Sequence, residues 1–216
     1  MKVAIIAAGG RIARLVTERL LTEDRFADIE VTLALRQPDQ LKSLADHPRV
    51  TLVKADLTDL PSVASVVAGQ DLVFVAVVDH DAQNVPTRNV IAAMQAQQVD
   101  RIIYTNILGI YDEVPGEFGR WNLSMVAPGL AAAKKSDQLL AASGLNYTTL
   151  RLPWLNDRDE IKYVVTHQDE PYIGVSGSRK SVADLVLKLM TTPDMGNFDS
   201  LGLADPATAG SDRPVY

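Results

Sequence analysis

Along the chain, short apolar runs alternate with longer stretches in which apolar residues recur every three or four positions. KVAIIA (2–7) is the first run and predicts a buried strand. In 11–22, Ile12, Leu15, Val16 and Leu20 share one face of a 3.6-residue period and predict a helix. IEVTLAL (29–35) predicts a second strand, with a helix near 38–45. VTLVKA (50–55) predicts a third, and Thr58-Asp59 is the start signal for a helix reaching Ala68. DLVFVAVV (71–78) predicts a fourth strand, 85–98 a helix, and RIIYTN (101–106) a fifth strand. The stretch 109–129 carries Pro and Gly and reads as irregular. A helix over 130–143 and a sixth strand, YTTLRL (147–152), follow. Beyond Pro153 the pattern loosens, with a strand near 161–165, a helix at 181–191 and a strand near 198–203.

The six strands are nearly all apolar, as strands covered by helices on both faces are. Their alternation with helices predicts an α/β architecture. We expect a doubly wound parallel sheet with right-handed crossovers, helices on both faces and an irregular C-terminal elaboration, as one domain over 1–216. The segments 109–129 and 153–180 are then the expected cover of a cleft.

Composition narrows the function. The chain has 21 basic and 27 acidic residues among 216, a net charge of -6, and no basic run, so a nucleic-acid surface is not expected. There is no cysteine, which excludes disulfides, thiol catalysis and thiolate-bound zinc. The three histidines, His47, His80 and His167, share no metal-ligand spacing, and no metal is expected. No apolar run is long enough for a membrane span, and the N-terminus enters a strand directly without signal-peptide zones. A cytoplasmic protein acting on a small molecule is the expectation. No heptad pattern marks an interface, and a homodimer is left open.

The first strand runs into Ala7-Ala8-Gly9-Gly10-Arg11-Ile12-Ala13. A dinucleotide-binding turn of the form G-x-x-G-x-x-G needs three small residues. The first makes the tight turn, the second lets backbone approach a pyrophosphate, and the third lets helix pack on strand. Ala7 and Ala13 can fill the first and third roles, Ala7 provided its φ stays negative. Gly10 fills the second, with Gly9 beside it. The helix start at Arg11 and Ile12 would offer free N–H groups to an anion. A plain tight turn before a helix accounts for the same residues. The second strand ends at Arg36, and no acidic residue lies between Glu30 and Asp39. An NAD site wants a carboxylate there, whereas Arg suits the 2′-phosphate of NADP. NADP(H) over NAD(H) is the expectation, with Arg11 as a second phosphate contact.

With these parts in place, the chain resembles the atypical short-chain dehydrogenases/reductases, near the NmrA-like and NAD(P)H-binding families. The resemblance is carried by AAGGRIARLV (7–16), LALRQPDQL (33–41), VKADLTDLPSVASVVAGQDLVFV (53–75), YTNILGIYDEVPG (104–116), LNYTTLRLPWL (145–155) and SRKSVADLVLKLM (178–190). It implies a Rossmann fold with NADP(H) across the carboxyl edge of the sheet. It places Asp56 and Leu57 at the adenine, Ala76 and Val77 at the ribose, and Pro153 near the nicotinamide. A turn or capping role explains Asp56 equally well.

One departure stands out. The wider superfamily moves its proton with a Tyr and a Lys four residues later. No tyrosine here is followed by lysine at that spacing, and Leu130 and Ala131 stand where the partners of Lys134 and Lys135 belong. Replacement candidates are Tyr111, Asn106 and His80, the last within Asp79-His80-Asp81, where a neighbouring carboxylate would make it a usable acid. Lys134 is a candidate contact to the nicotinamide ribose, and Trp121 and Trp154 are candidate walls for a planar substrate. Three readings remain open: an NADP(H)-dependent oxidoreductase with another proton source or none, a cofactor-binding redox sensor, and an NAD-dependent epimerase or dehydratase.

Overall fold

The computed structural model describes residues 1–216. Eight strands form one sheet in the order β3-β2-β1-β4-β5-β6-β10-β8. These are β1 (Lys2–Ile6), β2 (Glu30–Leu35), β3 (Val50–Lys54), β4 (Leu72–Val75), β5 (Arg101–Ile107), β6 (Asn146–Leu152), β8 (Val164–Thr166) and β10 (Asp199–Ala204). All pairings are parallel except β8 on β10, which is antiparallel. The chain leaves β1 toward β2 and β3, then returns to lay β4 on the other side of β1. That reversal opens a crevice at the carboxyl ends of β1 and β4, where ligands bind in such sheets.

The alternation inside β1 shows why its residues are apolar throughout. Val3 and Ile5 pack under α1 (Arg11–Thr22) and α5 (Arg179–Thr191), beside Val16, Leu20, Val182 and Val186. Ala4 and Ile6 pack on the opposite layer, beside Val63 and Val66 of α2 (Leu60–Val67), Val90 and Met94 of α3 (Val85–Gln97) and Leu140 of α4 (Gly116–Ala141). Each face removes its side chains from water, which is the main stabilising term. No helix is long and apolar enough to cross a membrane.

The expected elements are present with some shifts. Asp59 caps α2, its carboxylate accepting from the Ser62 N–H. The segment near 38–45 is a 3₁₀ stretch, Pro38–Leu44, broken at Leu41 where φ is -123°. Strand β4 stops at Val75, three residues short of its apolar run. The larger correction is α4. It begins at Gly116 and runs 26 residues to Ala141, so much of the expected irregular cover at 109–129 is helix. Pro128 sits inside it and withholds one N–H. Gly119 is required there for a different reason: a Cβ would lie 2.0 Å from the Val114 carbonyl oxygen, where the loop folds back on the helix. The second cover segment, 153–180, contains two short strands, β7 (Trp154–Asn156) and β9 (Ser176–Ser178), paired parallel as a separate ribbon.

Candidate functional site

The turn after β1 holds Ala7 at φ +62°, which corrects the expectation of a negative angle. A left-handed alanine costs about 1–2 kcal/mol, the strain a glycine would avoid. The Gly10 N–H closes the turn on the Ala7 carbonyl at 3.1 Å, and Arg14 N–H makes the first helical bond to Gly10 at 2.9 Å. Gly10 is the N-cap and offers no side chain, and no acidic residue occupies the first turn of α1. The N–H groups of Arg11, Ile12 and Ala13 precede the first helical bond and carry the positive end of the helix dipole. Ala13 is fully buried against the sheet. A Cβ on Gly10 would stand 3.5 Å from the Ala7 carbonyl oxygen and 3.8 Å from that of Ala76, between the ends of β1 and β4. These features fit a pyrophosphate on the turn.

Beside the turn lies a cleft of about 780 Å³ between the ends of β2 and β3. Ala7, Gly9, Leu57 and Val77 form its walls, while Arg36, Gln37, Gln40 and Lys54 add polar groups. Lys54 pairs in register with Leu35, so it and Arg36 come from adjacent strand ends. Asp56 also lines the cleft, with Oδ1 accepting from the Thr58 N–H at 2.9 Å and hydroxyl at 2.8 Å. Those two bonds hold its carboxyl below the usual carboxylate range, aided by the charge of Arg36. The role of Asp56 as a turn carboxylate is thus visible directly.

A second pocket, about 360 Å³, opens at the ends of β5 and β6. Val78, Val126, Leu152, Pro153, Trp154 and Leu155 make it largely apolar. Asn106 and Asn122 also line it, but both amides are engaged. Asn106 donates to the Ala133 carbonyl at 3.0 Å and accepts from the Ile107 N–H at 2.8 Å. Asn122 accepts from the Trp154 indole at 2.9 Å and donates to the Leu108 carbonyl at 3.2 Å. Arg179, at the start of α5, is the one ionisable residue in the lining.

The other candidates lie elsewhere. Tyr111 does not line this pocket. Its hydroxyl donates to the buried Asp137, and the Arg151 guanidinium stands 5.4 Å over its ring. Burial and the facing carboxylate push its pKa well above the ordinary tyrosine value. His80 is exposed against Gly129 of α4 and has no carboxylate bonded to it. Asp79 turns instead to the Thr87 N–H and hydroxyl, and Asp81 accepts from the N–H groups of Gln83 and Val85. Lys134 pairs with Asp112 at 3.3 Å rather than reaching the pocket. Arg11 pairs with Asp157 at 2.9 Å, so its side chain does not line the cleft that holds Arg36, although its N–H stays in the turn. Trp154 walls the pocket, while Trp121 packs against it at 4.6 Å between centroids and against Phe118.

Sequence reasoning passed over Lys54, Asn122 and Arg179. Lys54 had a local signal, a cation closing the third strand beside the end of the second. Asn122 had none, because it sits in a segment read as loop.

A family described as NAD(P)H-binding matches residues 7–193. An uncharacterized chloroplast protein of Arabidopsis thaliana is 25% identical over 205 residues, covering 88% of this chain and 71% of its own. A Rossmann-fold NAD(P)-binding family protein from Shigella flexneri is 32% identical, with a TM-score of 0.78, covering 100% of this chain and 98% of its own. A short-chain dehydrogenase/reductase from Veillonella parvula, solved in complex with NADP, is 24% identical with a TM-score of 0.91, covering 100% and 99%. The chain belongs to the NAD(P)H-binding family, in keeping with its resemblance to the atypical short-chain dehydrogenases/reductases.

Proposed function

We propose that the protein is an NADP(H)-dependent oxidoreductase that passes hydride to a small conjugated acceptor and draws the accompanying proton from water. The observation that carries the cofactor choice is the pair Arg36 and Lys54 on the cleft at the ends of β2 and β3, where the one carboxylate, Asp56, is turned to Thr58. The free N–H groups at the start of α1 would hold the pyrophosphate. Arg36 and Lys54 would pair with the 2′-phosphate. The complex of the Veillonella protein with NADP supports the same choice. Bound NADPH supplies a hydride at the carboxyl edge.

The apolar pocket at β5 and β6 excludes water from the reacting face and positions the acceptor. Its lining holds no carboxyl, imidazole, phenol or amine to serve as a proton donor; its side-chain polar groups are the Arg179 guanidinium and two asparagine amides. Reduction of a ring that tolerates a transient negative charge suits this pocket. Reduction of an aliphatic ketone, whose alkoxide needs a proton at once, does not.

Titration of NADPH and NADH into the protein and its Arg36→Ala variant tests the cofactor choice. NADPH affinity is expected to fall about tenfold in the variant, with NADH affinity unchanged, as for loss of one charge-assisted hydrogen bond. Equal affinity for the two cofactors in the unmodified protein would sink the reading. The lack of a proton donor also favours a second reading, an NADP(H)-binding redox sensor. Turnover of NADPH with a quinone or flavin separates the two.

A further inference from the structure

Helix α4 carries Phe118, Trp121 and Asn122 on one face, at the three- and four-residue spacing that makes helical neighbours. Phe118 stacks on Trp121, with 6.0 Å between centroids and 26° between planes. Trp121 meets Trp154 at 4.6 Å and 52°. Asn122, only 1% exposed, accepts from the Trp154 indole N–H at 2.9 Å and donates to the Leu108 carbonyl at 3.2 Å. Its approach to the loop after β5 is close. A Cβ on Gly109, where φ is +99°, would lie 2.9 Å from the Asn122 amide nitrogen. The Trp154 backbone N–H, at the start of β7, donates to the Val175 carbonyl at 3.3 Å. The indole is therefore held by its own N–H, by its backbone and by a neighbouring ring. It is half-buried and lines the apolar pocket.

A buried amide gives up its hydration, and two hydrogen bonds do little more than offset that loss. What Asn122 adds is direction. A half-buried indole could bond water through its N–H and turn about its side-chain torsions. Tied to Asn122, it keeps one orientation. A fixed, electron-rich ring among apolar side chains is a surface for a second flat ring. We infer that Trp154 is the platform on which the acceptor stacks, and that Asn122 is the positioning residue that sets the platform's angle. This rests on the oxidoreductase reading above and deepens it. The acceptor it fits is a flat, uncharged, fused-ring molecule. Arg179, the one cation in the lining, already pairs with Asp157 at 2.7 Å, so no free charge there calls for an anion. For a quinone of this shape, the nicotinamide C–H bond breaks and its electron pair passes to the quinone with the hydride. Water gives the second proton, and the products are hydroquinone, NADP⁺ and hydroxide. Asn122 and Trp154 transfer nothing; they set where the ring lies.

The chain has two tryptophans, which meet at this pocket and serve as reporters. With NADP⁺ bound, menadione is expected to quench tryptophan emission, and Trp154→Phe to remove most of that quenching. With NADPH as reductant, the KM for menadione should be about fivefold below that for 2-methyl-1,4-benzoquinone, which has the same quinone ring without the fused one. Asn122→Leu should raise the menadione KM about fivefold, change kcat less than about twofold and leave the one-ring KM nearly unchanged. Asn122→Asp keeps an acceptor for the indole and should restore most of the difference. Trp154→Phe removes the N–H that Asn122 accepts, so adding Asn122→Leu to it should raise KM no further. A parent-like KM ratio in Asn122→Leu would overturn the inference, and so would full additivity in the double variant. Should Asn122→Leu not fold, Trp154→Phe decides: a lowered ratio supports the platform and a parent-like ratio overturns it. If NADP⁺ binds and menadione leaves the emission unchanged, this inference falls while the cofactor site stands. Quenching without turnover would keep the platform and fail the oxidoreductase reading. Loss of cofactor binding itself would fail both.

Discussion

At the β2–β3 end of the carboxyl edge, Arg36 and Lys54 are exposed and their cleft is open. At the β5–β6 end, Arg151 is fully buried, and it binds Glu113, itself almost without exposure, at 2.9 Å. The two ends of one sheet edge use cations in opposite ways. The first leaves charge in water, available to a ligand. The second spends it inside the protein. Glu113 also accepts from the N–H groups of Gly109 and Tyr111, while Arg151 donates to the carbonyls of Thr166, His167 and Ser200. That network ties the loop after β5 to β6, β8 and β10, and so holds one side of the apolar pocket in shape. The difference teaches that fold stability and cofactor choice should be separable by mutation.

The strongest test is at the buried end. Glu113→Ala would strand Arg151 as an unpaired buried charge and free the loop. A loss of about 3–5 kcal/mol in urea unfolding is expected, as for breaking a buried ion pair from one side. Arg36→Ala should leave unfolding within about 0.5 kcal/mol of the parent, since exposed substitutions rarely do more. If Arg36→Ala destabilised comparably, the proposed division would fail.

Tyr111→Phe probes the same end more gently. It removes the donor to Asp137, a carboxyl whose pKa burial already pushes up. Losing that bond should cost about 1–3 kcal/mol, the penalty for a buried acceptor without its partner. Turnover with a flavin or quinone should stay within a few-fold, because the hydroxyl does not line the pocket. A fall of about a hundredfold in kcat would instead mark Tyr111 as the proton donor.

The two ends also differ in how far sequence could reveal them. The turn, Arg36 and Asp56 lie at the ends of continuous apolar strands, so position along the chain gives position in space. Asn106, Asn122 and Arg179 meet at the pocket only because β5, α4 and α5 converge there, and no local pattern encodes that meeting. Helix α4 was hidden for a related reason. Gly119, Pro128 and Gly129 read as breakers, yet packing of Phe118, Ala132, Ala133 and Leu140 carries the helix through them. The motif Asp79-His80-Asp81 misled in the other direction. Adjacent residues there point to different partners, and the carboxylates serve the start of α3 instead of the histidine.

At the cofactor end, Ala7→Gly would relieve the left-handed alanine at the head of the turn. The strain removed, about 1–2 kcal/mol, is partly offset by the greater chain entropy of glycine, about 0.5–1 kcal/mol. A net gain of about 0.5 kcal/mol is expected in urea unfolding. NADPH affinity should hold or rise, since the turn keeps its shape. Weaker NADPH binding would mean that the strain itself shapes the phosphate site.

The smallest effect belongs to a surface pair at the far edge of the buried end. His167 Nδ1 lies 2.5 Å from Asp199 Oδ2, with the imidazole about half exposed. The hydrogen bond with Asp199, joined by the nearby charges of Glu170 and Asp169, raises the His167 pKa above its ordinary value. A raised pKa means that the folded chain holds the proton more tightly than the unfolded one. Its contribution is therefore complete below the unfolded value near 6.5 and is lost as pH rises through the higher folded value. His167→Gln should lower stability slightly at about pH 5.5, and the gap from the parent should close by about pH 8.5. Paired urea titrations at the two pH values measure it. A gap that widened with pH would reverse the sign and show that His167 is held neutral in the fold.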